Sequence, residues 1–149
     1  MRFDRRRGAP EYGLTVGNDV PHRLAGPAHI SLHARMLLRG SRHPNEPEPW
    51  DIGIVAYQYT LLDADQHEIL AFHLHPEEAS HVTTPHLHLG AGAGQVRTEL
   101  ASAHVPSGLV TLASVARLAV EAFAARSRRP TWDAILHGAE LALAAEKRA

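Results

Sequence analysis

The sequence predicts a single α+β domain in which an antiparallel sheet of four to six strands is followed by two C-terminal helices packed on one of its faces. Three observations carry this expectation. Runs with a period of two, the mark of half-buried strands, fill residues 28–39, 52–62 and 68–75. Apolar residues at helical spacing are confined to the end of the chain, over 112–126 and 132–146. Strands first and helices afterwards is the order of a sheet covered on one side and partly open on the other. With 149 residues, 44% of them apolar, the chain is long enough to bury one core, so 1–149 is expected to form one unit.

Residues 1–10, with Arg5, Arg6 and Arg7, read as a flexible basic arm, and residues 11–16 as a short strand before a turn at 17–19. Over 28–39, Ile30, Leu32, Ala34, Met36 and Leu38 fall on one face and His29, Ser31, His33, Arg35 and Arg39 on the other. Three prolines in 40–49 cannot continue a ladder and predict a surface loop. Residues 52–62 are rich in β-branched and aromatic side chains, with Val55, Tyr57, Tyr59 and Leu61 opposed to Gln58 and Thr60, which suits an interior strand.

Asp63, Asp65 and the residues around them supply a turn. The next strand sets Leu70, Phe72 and Leu74 against Ile69, Ala71, His73 and His75. Residues 85–90 form another short strand, and the glycines at 90, 92 and 94 read as a flexible exit without the lysine of a phosphate loop. Thr111 is a good N-cap for a helix with a stripe of Leu112, Val115, Ala119, Ala122 and Phe123. Pro130 breaks the chain, and Thr131 can cap a second helix carrying Trp132, Ile135, Leu136, Ala139 and Leu143.

Composition narrows the chemistry. There is no cysteine, so disulfides and thiolate metal sites are excluded and any metal must use His, Asp or Glu. The formal charge of −1 argues against a uniformly basic coat, and no apolar run near the N-terminus has signal-peptide or membrane-spanning length. A cytoplasmic protein with no membrane partner is expected. Unpaired edges of a small sheet can extend across a two-fold axis, so a homodimer is expected as well.

The twelve histidines are the conspicuous feature. Two His-x-His pairs, His73/His75 and His86/His88, stand on strands joined by a ten-residue connection, so four imidazoles are expected on one open sheet face. Opposed side chains on paired strands lie roughly 5 Å apart, the scale of an acid–base pair or a metal site. As acid and base near neutral pH, His73, His75, His86 and His88 would serve a 2′-hydroxyl attack on an RNA phosphodiester, with Arg35 or Arg39 stabilising charge on the phosphate. That chemistry needs no cofactor. Alternatively the same four histidines bind zinc or another transition metal, completed by Glu77, Glu78 or Asp65, in a metal-dependent or non-catalytic binding protein.

Two resemblances bear on this choice. The segment HLHLG is similar to the histidine-triad nucleotide hydrolases over five residues, without their third histidine. The ordered segments YQYTLLDADQHEILAFHLH, PHLHLG, HVPSGLVTLASVARL and PTWDAIL resemble the small TumE-type toxins of bacterial toxin–antitoxin pairs and their relatives, over residues 50–136. His86 and His88 match that family's histidine motif. The chain departs from it in lacking a basic balance, in the His73/His75 pair and in its long N-terminal part. The resemblance implies a toxin-like cytoplasmic protein paired with a helix-turn-helix antitoxin and acting on RNA; joined to the acid–base reading of the histidines, this gives a metal-independent endoribonuclease as the expected function.

Overall fold

The two longest strands organise the molecule because their alternation of apolar and polar residues lets each bury one face while pairing along its whole length. In the computed structural model, which describes residues 11–42, 50–75, 81–95 and 97–146, β3 (Ser31–Arg42) and β4 (Trp50–Leu62) form this antiparallel pair. Around them lie β1 (Glu11–Thr15), β2 (His22–Arg23), β5 (Glu68–Leu74), β6 (His86–Leu89) and β7 (Val105–Pro106). A short α1 (Thr98–Ala101) precedes β7, and α2 (Leu112–Phe123) and α3 (Trp132–Glu146) close the described chain. The expected basic arm at 1–10 and most of the proline-rich loop lie outside the described residues.

The fold is α+β, and its antiparallel sheet has the order β1-β3-β4-β5-β6-β7, with β2 also pairing on β3. That makes seven strands where four to six were expected. The excess is β2 and β7, two residues each, too short to show any period in the sequence. Strand β3 begins later and runs further than its apolar pattern indicated. His29 falls before it in the left-handed region at φ 51°, where its Nδ1 accepts from Arg23, so it leaves the face it was expected to share. Two bulges interrupt the ladders. Val55 is extra on β4, between the partners of Leu37 and Leu38, and Ile69 is extra on β5, between the partners of Leu61 and Leu62.

Leu32, Ala34, Tyr57, Tyr59 and Leu61 bury the apolar face against Val115 and Ala119 of α2. Burying each large apolar side chain contributes about 1.5–3 kcal/mol, so this face anchors the sheet to the helix. Helix α3 lies against α2. Thr111 caps α2 as its sequence indicated, its hydroxyl accepting from the Ser114 N–H at 2.9 Å. The Tyr57 hydroxyl accepts from the Val110 N–H and ties the approach to that helix onto the sheet. The helix stops at Phe123, short of the expected 126, because Ala124 turns left-handed at φ 53° and the Ala125 N–H returns to the Ala119 carbonyl.

The glycine run is the other correction. It is no loose exit but a 3-10 turn over Ala91–Ala93, seated against the start of β5. A Cβ on Gly90 would lie 2.2 Å from the Glu68 carbonyl oxygen, and one on Gly92 would lie 2.8 Å from that of His67. Glycine is needed here for close approach. No helix among the described residues is long and apolar enough to cross a membrane.

Candidate metal centre

The sheet register lays out the site. Strands β5 and β6 set His73 opposite His86 and Ala71 opposite His88, while His75 projects on the same side two residues beyond His73. Strands β6 and β7 pair His86 with Pro106 and Leu87 with Val105. One residue further along that register, His104 stands opposite His88. Five imidazoles therefore converge where four were expected. His104 escaped the sequence reading because the strand that delivers it is two residues long and shows no alternation.

The ring centres of neighbouring histidines are 4.5 to 5.6 Å apart across His73/His75, His73/His86, His73/His88, His75/His86, His86/His88, His86/His104 and His88/His104. Imidazoles bound tetrahedrally through nitrogens about 2.1 Å from zinc have ring centres roughly 5.2 Å apart. The observed spacings bracket that value. Two trios, His73/His75/His86 and His86/His88/His104, each have one nitrogen per ring within 4.8 Å of the others, and His86 belongs to both.

His86 is the pivot. It is 1% exposed, so the expected open histidine face is closed at this position. Its Nδ1 is 2.8 Å from the Thr84 carbonyl oxygen. A carbonyl only accepts, so Nδ1 carries the proton and Nε2 is left with a bare lone pair. That Nε2 is buried and has no hydrogen-bond partner among the described residues, and the same holds for Nε2 of His73. Tyr59 and Thr60 also bury a hydroxyl without a hydrogen-bond partner among the described residues, but neither belongs to the two imidazole trios.

The electrostatics favour neutral rings. Burial, and then the neighbouring His88, His75, His86 and His104, push the His73 pKa down to about 4. His75 is lowered by burial and then by His86 and His104, and His88 by burial and then by His104, His86 and His75. An imidazole must be neutral to ligate, so these shifts remove the proton that would compete with a metal.

The other expected participants stand elsewhere. Arg35 shares a cross-strand row with Gln58, His73 and His86, but it is two strands from His73, roughly 10 Å by strand spacing. Its guanidinium instead grips Asp19, with Nη2 at 2.9 Å, and that contact together with His33 holds the Asp19 carboxyl below its usual range. Arg39 pairs with Glu11 on β1. Asp65 belongs to the β4–β5 turn, where the Asp63 carboxylate accepts the backbone N–H of Asp65 and His67. Glu77 and Glu78 lie outside the described residues.

Comparison with protein-family models, with curated proteins and with solved structures finds no match to this chain. The site is therefore read from its own chemistry. It offers borderline nitrogen donors and no thiolate, a set that suits zinc, copper, nickel or iron.

Proposed function

We propose that the chain is a transition-metal-binding protein whose ion is held by imidazoles drawn from His73, His75, His86, His88 and His104, with zinc the first candidate because the ring spacings bracket that of tetrahedral zinc. The observation that carries this reading is His86, buried with Nδ1 committed to Thr84 and Nε2 aimed without a partner among four other imidazoles. A ligating histidine is typically oriented by a backbone carbonyl on its other nitrogen. Since only Nε2 of His86 is free to ligate, the two trios that share it compete for one ion.

Elemental analysis of protein purified without an affinity tag tests the proposal. About one transition-metal ion per chain is expected, removed by chelator and restored by zinc or cobalt, with His86→Ala abolishing retention. A chain that neither retains nor takes up zinc, cobalt, nickel or copper at neutral pH would sink it.

The toxin-like ribonuclease remains the second proposal, with RNA and a helix-turn-helix antitoxin as its partners. It is supported by the resemblance at His86 and His88 and by the His88/His104 pair, whose ring centres are 4.5 Å apart with His104 exposed to solvent. Acid–base cleavage needs one ring of a pair to hold a proton near neutral pH, and the depressed His73, His75 and His88 work against that. RNA cleavage that persists in chelator and falls roughly 10²- to 10⁴-fold in His88→Ala would favour it over the metal centre.

A further inference from the structure

A second feature lies away from the histidines, between the β2–β3 region and the two long helices. A cavity of about 270 Å³ opens there, walled by Leu24 and Leu32 on the sheet side and by Ala119, Val120, Ile135 and Leu136 on the helix side. Trp132 forms part of the wall. Arg126 and Arg129 also line the cavity; both are exposed, and neither makes an ion pair among the described residues. Other arginines nearby differ, since Arg117 is committed to Glu121, Asp133 and Glu140.

The frame is closely fitted. The Arg126 N–H donates to the Ala25 carbonyl at 2.6 Å, joining the end of α2 to the loop before β3. Gly26, at φ 148°, passes so near that helix end that a Cβ would lie 2.6 Å from the Ala124 carbonyl oxygen. Ser127 accepts the Arg129 N–H and fixes the turn that brings Arg129 to the cavity's edge. Apolar walls with unpaired guanidiniums beside them complement a ligand with an apolar body and one anionic end.

We propose that this cavity binds a small amphipathic carboxylate, whose chain lies against Leu32, Val120 and Ile135 and whose carboxylate meets Arg126 and Arg129. The volume suits roughly ten to fifteen non-hydrogen atoms, well short of a helix about 10 Å across. A fixed guanidinium fork matches a carboxylate, which is less costly to desolvate than a doubly charged phosphate. The inference is independent of the histidine cluster, so either can fail without the other.

Trp132 is the reporter. In a Trp50→Phe background, which leaves one indole, titration with octanoate should shift Trp132 emission saturably. The double variant Arg126→Gln/Arg129→Gln should weaken octanoate binding roughly tenfold or more, because it removes charge-assisted hydrogen bonds. The neutral alcohol 1-octanol should bind the parent protein as weakly as octanoate binds that variant. Ala116→Met, which fills the cavity from α2, should abolish the response while far-UV circular dichroism stays native. The proposal is overturned if octanol binds as well as octanoate, which would make this a bare apolar groove. It is equally overturned if octanoate gives no saturable shift, or if emission depends on protein concentration and Ala116→Met removes that dependence, which would make the groove a contact between two copies.

Discussion

At the scale of single residues, His73 and His86 have different jobs within one cluster. His86 is fixed by the Thr84 carbonyl and presents one nitrogen, whereas His73 is crowded by four imidazoles and held neutral. The sign of the resulting pH dependence follows from linkage. His73 titrates near 6.5 when unfolded and near 4 when folded, so between these values the unfolded chain binds more protons and metal-free protein loses stability as pH falls. Half-buried and partly screened by solvent, His73 contributes on the order of 2 kcal/mol, fully present above about pH 6.5 and gone below about pH 4. Urea midpoints of chelator-treated protein should therefore drop across that window, and His73→Phe should flatten the drop. An unchanged slope in that variant would assign the pH dependence to other groups. His86→Ala should abolish metal retention, and truncating a fully buried side chain should also lower stability by roughly 1–3 kcal/mol.

Among elements, the β5–β6 hairpin with its glycine turn sets the site. Gly90 follows directly on the strand that carries His86 and His88, and its hydrogen fills the space where a methyl group would strike the Glu68 carbonyl at 2.2 Å. Gly90→Ala should cost about 1–3 kcal/mol by forcing β6 away from β5, and it should weaken metal binding although no ligand is altered. Thr111→Ala, which removes the cap of α2, should cost about 1 kcal/mol and leave metal affinity unchanged. Comparing the two separates general destabilisation from distortion of the site. The helix signals were legible because cap and stripe are local: Thr111, Val115 and Ala119 stand where their spacing put them. The glycine turn was not, because the need for glycine at Gly90 and Gly92 arises from the Glu68 and His67 carbonyls, far back in the sequence, and only Gly94, at φ 83°, answers to its own backbone conformation. Likewise the four histidines in His-x-His pairs could be read from alternation, whereas His104 depends on a register continued past a two-residue strand.

Across the whole molecule, the five imidazoles come from three separate segments, β5 and its end, β6, and the approach to β7, which lie at one side of the sheet. The apolar core is centred on β3, β4 and α2, so the β6 and β7 side depends on ladder hydrogen bonds, on the short α1 that lies against β6 and on whatever ties the histidines together. An ion held by His73, His75 and His86, or by His86, His88 and His104, would cross-link chain positions that have no such geometry when unfolded. Binding to the native state alone stabilises it by about 2.7 kcal/mol when free metal is a hundred times the dissociation constant. For a domain of this size each kcal/mol shifts the melting temperature by about 2–4 °C, so zinc should raise Tm by roughly 5–11 °C at neutral pH. The increment should shrink as the pH is lowered, because an imidazole must be deprotonated to ligate. If the ion bound to the native chain without raising Tm, it would have to bind the unfolded histidines equally well, and the folded cluster would not be a preformed site. Hydrogen exchange then checks the linkage: added zinc should slow the Leu87 and His88 amides of β6, and it should slow the Tyr59 amide of the core strand as well, because an amide that exchanges through global unfolding gains the same stabilisation from the bound ion.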